Sequence, residues 1–361
     1  MITSIFKRTL FSLFLFGTVL IYGQIPPGYY DPAQGLTGQA LQTALHNIIK
    51  GHTVVSYSSL WTYFQTTDKK SNGTVWDMYS DVPGGTPPYV FQFGTDQCGN
   101  YSAEGDCYNR EHSWPKAWFG GDIEPMYTDI FHLYPTDGYV NGRRSDYPYG
   151  EVGSASWTSQ NGSKVGSCSW TGYSGTVFEP IDGYKGDLAR TYFYMSVRYY
   201  SEDSGWPGSA MTTGSQLKPW ALSMMLQWNT QDPVSQKEID RNNAVYSQVQ
   251  HNRNPFIDHP EYADEIWGSG MGILSKLSGK RLIIYPNPAE DYCYLLVSDT
   301  FSKEKLEVKI NDLQGKSIDC FANREGDRIR LNLIGLDKGL YFVSLTGLKN
   351  GDITNGLILK K

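Results

Sequence analysis

Asn109-Arg-Glu-His-Ser-Trp-Pro115, Asp129-Ile-Phe-His-Leu-Tyr-Pro135 and Val140-Asn-Gly-Arg-Arg-Ser-Asp146 follow one another in a short span of the chain. Together they supply what phosphodiester hydrolysis needs. A water attacking phosphorus must lose its proton, which calls for a base that titrates near neutrality, and His112 is of that type. Charge on the phosphate and the leaving oxygen must be neutralised by a divalent cation or a guanidinium. A hard cation takes oxygen ligands. Glu111 and Asn141 offer those, and Arg143 and Arg144 offer the guanidinium. Each residue has a plainer reading when taken alone: Glu111 and His112 as surface side chains, Asn141-Gly142 as a hairpin turn. Their conjunction in so short a span favours chemistry.

Working outward, the 361-residue chain is 40% hydrophobic and 14% aromatic, which excludes a disordered polymer and leaves room for two domains. Its 26 Tyr and 38 Gly point to a loop-rich fold plugged by aromatic rings. Net charge is −6. A nucleic-acid binder is usually basic, so this balance tells against one, and binding is expected to use a small local groove rather than a wide basic face. Lys7 and Arg8, the apolar run Leu10 to Tyr22, and Gly23 before Gln24 read as a signal peptide over residues 1–23. No later stretch is long and apolar enough to cross a bilayer, so no membrane span is expected after cleavage. Export permits disulfides. Of five Cys, Cys98 and Cys107 bracket a Gly-rich loop they could staple, and Cys293 and Cys320 fall together in the tail; no C-x-x-C pair suggests zinc.

The composition divides the rest. Residues 24–275 are rich in Trp, Tyr, Gly and Asn, residues 276–283 form a linker, and residues 284–361 shift to Leu, Ile, Val and Lys. Helical spacing of Leu41, Leu45, Ile48 and Ile49 predicts a first helix. Further helices are expected over Asp187 to Tyr200 and Leu217 to Trp228, and a last one from Asp232-Pro233, with Ser235 and Glu238 as a capping box. Glu179 and Asp187 are read as caps at a helix start, and residues 75–180 as short strands and long loops. The fold class is α+β. Alternation in the tail predicts a small all-β sandwich.

The central motifs resemble those of the bacterial endonuclease I family, whose pattern is E-H-x-x-P, D-L-x-H-L-x-P and V-N-x-x-R-S. The likeness continues through Phe178-Glu-Pro, Lys185-Gly-Asp-Leu-Ala-Arg190, Leu226-Gln-Trp-Asn and Asn252-Arg-Asn-Pro-Phe-Ile-Asp258, over roughly residues 28–267. The resemblance implies a His-Me finger, a ββα-metal core surrounded by helices. It makes His112 the general base, Glu111 and Asn141 the ligands of one metal (Mg2+, with Mn2+ or Ca2+ as substitutes), Arg144 a phosphate holder and His132 an orienting group. Arg143, Lys116 and Arg110 are the local candidates for further phosphate contacts. Phe131 and Asp146 depart from the pattern, which has His and Asn there. Asp146 could add a metal ligand or only a surface charge, and position 131 is expected to be non-catalytic. The tail resembles the C-terminal sorting domain of the type IX secretion system, through Tyr285-Pro-Asn-Pro-Ala289, Asp312-Leu-Gln-Gly-Lys316, Leu336-Asp-Lys-Gly-Leu-Tyr-Phe342 and Leu359-Lys-Lys361.

The expectation is a secreted or cell-surface, monomeric endonuclease of a Gram-negative bacterium. It would act on DNA, with RNA as a second substrate, with little sequence preference, and partner the type IX machinery through residues 284–361. Two rivals remain: a metal-dependent phosphodiesterase or phosphatase for small substrates, and a non-catalytic surface adhesin. His251 and His259 flank a run read as a rigid loop beside the site. Trp61, Trp76 and Trp118 are read first as core residues rather than base-stacking ones.

Overall fold

The computed structural model describes residues 25–268, 282, 284–296, 305–312, 316–326, 328–347 and 353–361. The signal-peptide reading and most of the linker reading lie outside these residues. Two compact units divide between Trp267 and Gly268.

The first unit opens with α1 (Gly38–Ile49) and α2 (Leu60–Thr67). It continues through β1 (Tyr108–His112), β2 (Leu133–Asp137) and α3 (Gly138–Arg144), then the sheet β3 (Val152–Thr158), β4 (Lys164–Cys168) and β5 (Thr176–Glu179). After α4 (Lys185–Arg198) and the two-residue strands β6 (Thr212–Thr213) and β7 (Gln216–Leu217) come α5 (Pro219–Gln231), α6 (Gln236–Gln248), α7 (Pro255–Asp258) and α8 (Tyr262–Trp267). The helix α1 forms as its spacing predicts, with Leu41, Leu45 and Ile49 buried.

At the centre lies α4, buried along its whole length and packed on α1, α5 and α7. A helix buried all round shows no single apolar stripe, so the spacing of Leu188, Tyr192, Met195 and Tyr199 named one face of a helix that has no outer face. Its polar residues are matched instead. Arg190 donates to both oxygens of Glu238 and to Asn229, and Asp187 accepts from Lys237 at 2.7 Å. Asp187 is therefore an ion-pair partner and not only a cap, and Glu179 takes the Val152 N–H and the Lys185 ammonium. The last predicted helix starts later than expected. Asp232 closes α5, and its side chain takes the Gly186 N–H, so Ser235 is the N-cap of α6, with the capping box to Glu238 formed as read.

The element that positions the site is the antiparallel pair β1–β2 leading directly into α3. Tyr108 faces Asp137 and His112 faces Leu133. Asp137 then caps α3 by accepting the Val140 N–H. Asn141-Gly142 thus lies inside a helix, not at a hairpin turn. The loop before β1 is closed by the Cys98–Cys107 disulfide, and Gly105 N–H donates to Asp137.

The second unit is all β: one sheet of four strands pairs Leu306–Asn311 and Ile353–Lys360 with Gly339–Gly347, and another pairs Arg328–Asn332 with Tyr292–Leu296. Leu295, Ile329 and Leu331 of one sheet and Ile310, Val343 and Ile358 of the other share one hydrophobic cluster. Cys293 and Cys320 are free thiols, and Cys320 adds to the burial that pushes the Cys293 pKa up to about 12.

Candidate active site

Alternation along β1 sends Asn109 and Glu111 to one face and Arg110 and His112 to the other. The first face meets α3 through two rungs. Asn141 Nδ2 donates to Asn109 Oδ1 at 2.7 Å, and Arg144 Nη1 stands 3.2 Å from Glu111 Oε1. Spacings of two on the strand and three on the helix are what let both rungs form at once. Glu111 is buried, and Tyr79 donates to the same Oε1 at 3.1 Å. Burial raises the Glu111 pKa; Arg144 and Tyr79 oppose that, and the nearby charge of Asp146 adds to it.

Arg144 is fully buried. Its guanidinium donates to the carbonyls of His112 and Ser113 and to Tyr192 Oη, and it lies over the Tyr149 ring. The group read as a phosphate holder is thus engaged by the protein itself.

On the other face, His112 Nε2 lies 2.9 Å from the Tyr127 carbonyl. A carbonyl can only accept, so Nε2 carries the proton and the Nδ1 lone pair is left free. Burial, then the neighbouring His132, lowers the His112 pKa to about 3. The ring is held by parallel stacking on Tyr57 and Tyr127, with centroids 5.9 and 5.3 Å away. His132 is buried behind it, at 5.4 Å between centroids, with Nε2 2.7 Å from the Met126 carbonyl. Phe131 is buried against Tyr194.

The three basic residues read as phosphate contacts differ. Arg110 donates to the Tyr57 carbonyl and sits 3.6 Å from the Tyr57 ring centre. Lys116 pairs with Asp122 at 2.7 Å. Arg143 is exposed, pairs with no carboxylate among the described residues, and lies over the Trp157 ring at 5.3 Å. Between His251 and His259, Asn252, Arg253 and Asn254 are buried and hydrogen-bonded, as a rigid loop requires; none of the contacts of these residues reaches Glu111, His112 or Asn141 among the described residues. Trp118 is a core residue; Trp61 and Trp76 are half-buried.

Among the described residues no three His, Cys, Asp or Glu side chains converge on a metal-sized point. The donor set here is smaller: one carboxylate and one amide. Both Glu111 contacts fall on Oε1, which leaves Oε2, and the Asn141 amide uses its nitrogen towards Asn109, which leaves its oxygen. Two oxygen donors fit a hard cation that keeps most of its water.

Sequence reasoning did not single out Tyr57, Tyr79, Tyr127 or Trp157, and gave Asn109 no role. Tyrosines are so frequent in this chain that no spacing marks these. Asn109 could have been found from its position two residues before Glu111 on a strand.

A strand pair and helix bring together an oriented imidazole, a buried carboxylate, an amide oxygen and an exposed guanidinium, the residue types that hydrolysis of a phosphate ester calls for. The chain matches Endonuclease I over residues 37–261 and belongs to that family; it is a nuclease. Residues 283–360 match the secretion system C-terminal sorting domain, so the protein is secreted or displayed at the cell surface. No helix among the described residues is long and apolar enough to cross a membrane. The extracellular ribonuclease of Bacillus amyloliquefaciens is 41% identical over 66% of this chain and 78% of its own length. That of Bacillus subtilis (strain 168) is 38% identical over the same shares. A periplasmic deoxyribonuclease of Aeromonas hydrophila is 26% identical over 38% of this chain and half of its own.

Proposed function

We propose that this nuclease hydrolyses phosphodiester bonds of both RNA and DNA with little sequence preference, using His112 to activate water from a His-Me finger formed by β1, β2 and α3. The observation that carries the reading is the hydrogen bond from His112 Nε2 to the Tyr127 carbonyl. It fixes the tautomer whose Nδ1 lone pair can take a proton from water, and the lowered pKa keeps the ring in its proton-accepting form at the cost of basicity. Water as nucleophile makes no use of a 2′-hydroxyl, so the chemistry serves either polymer. The ribonuclease names of the more similar relatives favour including RNA.

Glu111 and Asn141 would hold a divalent cation, Mg2+ by preference and Mn2+ or Ca2+ as substitutes. When bound, it would neutralise charge on the scissile phosphate and the leaving oxygen. Arg143 would contact a neighbouring phosphate, with Arg110 and Lys116 lending positive potential. Arg144 is a positioning residue: it fixes Glu111 and the carbonyls of His112 and Ser113. His132 supports the His112 ring from behind. Contacts to phosphate carry no base information, hence the weak sequence dependence.

The test is hydrolysis of long RNA and DNA after exhaustive chelation and after adding back single metals. Cleavage of both polymers with Mg2+ and loss of both in chelator is expected. Full activity in chelator would remove the metal from the mechanism. Activity on small phosphodiesters with none on polymers would favour the phosphodiesterase reading.

A further inference from the structure

We propose that the outer side of α3, together with β3, is a stacking track for unpaired nucleobases, with Trp157 as its main platform, so that the enzyme prefers single-stranded over double-stranded nucleic acid. This rests on the nuclease reading above and adds the conformation of the substrate.

Three aromatic rings run along this side. Tyr101 and Tyr139 are 6.4 Å apart between centroids, and Tyr139 and Trp157 are 6.4 Å apart. Tyr101 is 38% exposed, and Tyr139 and Trp157 are half-buried. The placement is built in. Tyr101 lies so close to α3 that a Cβ at Gly138 would be 2.5 Å from its ring, and one at Gly142 2.7 Å from its hydroxyl. The loop that carries Tyr101 is closed by the Cys98–Cys107 disulfide. Trp157 stands on a strand with a register shift between Ala155 and Trp157, and a β-bulge of this kind re-aims a side chain. The residues before it, Gly153, Ser154, Ala155 and Ser156, are small and exposed. Arg143 lies over the same ring with no carboxylate partner among the described residues, two residues after Asn141 on α3.

An aromatic ring half open to water beside a free guanidinium suits a nucleotide whose base stacks and whose phosphate pairs. In a duplex the base faces are hidden in the stack, so only an unpaired base can use the ring. Tyr57 is more tightly occupied, with Arg110 3.6 Å over its ring and Tyr127 stacked on it at 4.4 Å, against 5.3 Å for Arg143 and a tilted Tyr139 at 6.4 Å on Trp157.

The experiment is fluorescence anisotropy of the full chain in chelator with a labelled 12-nucleotide DNA strand, its RNA counterpart and the DNA duplex. Trp157→Ala should raise the Kd for both single strands about tenfold and that for the duplex less than twofold. Trp157→Phe should stay within about threefold of the parent. Single-strand and duplex binding weakened in parallel would overturn the track and leave Trp157 as a support for Arg143. Unchanged single-strand binding would overturn it as well. If Trp157→Ala lowers the thermal midpoint, Tyr101→Ala decides by the same selective loss, and its absence counts against the track. The nuclease reading is judged separately, by cleavage of polymer on a gel with Mg2+, so its failure cannot be mistaken for failure of the track.

Discussion

Arg144 and Glu111 form a buried ion pair, Nη1 to Oε1 at 3.2 Å, and it ties the end of α3 to the C-terminal end of β1. Removing Arg144 takes from the buried Glu111 carboxyl the charge that opposes the effect of its burial. Arg144→Met should therefore cost about 3–5 kcal/mol of stability, by analogy with other broken buried pairs. It should also reduce activity by loosening Glu111. Denaturant unfolding is the measurement. A variant as stable as the parent yet inactive would instead make Arg144 a phosphate contact.

His112 is held by stacking and one hydrogen bond, and it is the base of the proposed reaction. His112→Ala should lower the rate by about two to four orders of magnitude while the chain stays folded, because Trp114, Tyr192 and the rest of the core below it are untouched. Single-turnover cleavage of a labelled strand checks this. More than a tenth of the parent rate would take the role away from His112.

The His112 pKa, lowered to about 3, also sets a dependence of stability on pH. Between about pH 6.5, where an unfolded histidine titrates, and pH 3, the unfolded chain holds a proton that the folded site refuses. Stability is thus lost as pH falls through that window, by up to ~1.4 kcal/mol per pH unit for one such group. Burial lowers His52 and His132 in the same direction. Asp77 acts in the opposite sense: burial raises it to about 7, so it adds stability as pH falls towards 4. His112→Gln removes one term and keeps an amide to donate to the Tyr127 carbonyl. Urea midpoints at pH 7, 6 and 5 should diverge from the parent in favour of the variant. Parallel profiles would show that His112 titrates normally.

Much of the local architecture was legible because it depends on spacing. Leu41, Leu45 and Ile49 announce α1 by their period, Ser235 and Glu238 announce the start of α6, and the tail strands announce themselves by alternation. The grouping of Glu111, His112 and Asn141 on one strand and the helix that packs on it follows their closeness in the sequence, and the roles proposed for them rest on residue type. What was not legible is set by contacts between distant segments. Nothing near position 112 says that the Tyr127 carbonyl will take its Nε2 proton, or that Tyr57 will lie beside it. Arg144 looks like a free cation in the sequence, because its burial depends on Tyr149 and Tyr192 folding over it. The plainer alternative of a turn at Asn141-Gly142 fails because the Asp137 cap and the Asn109–Asn141 rung both stabilise a helix there.

Residues from 284 onward should be dispensable for catalysis and required for export. The β unit carries no His, so it offers no base of the kind the reaction needs. Its core is its own: Leu295, Leu331, Leu345 and Ile358 are buried among its own strands. The first unit likewise closes around α4 with residues that all precede Trp267 or include it. Each unit therefore buries its apolar surface without needing the other's side chains, which is the condition for removing one and keeping the other folded. The sorting-domain match gives the tail a different task, that of being read by the secretion machinery. A chain ending at Gly279 should cleave RNA and DNA with the specific activity of the full chain, within about twofold, and should unfold at the same denaturant concentration as the first transition of the parent. Expressed in a host with a type IX system, it should stay in the cell envelope while the full chain reaches the surface or medium. If the truncated enzyme stayed folded but lost activity, the tail would belong to the site, and the division between catalytic and sorting units drawn at the end of α8 would have to be given up.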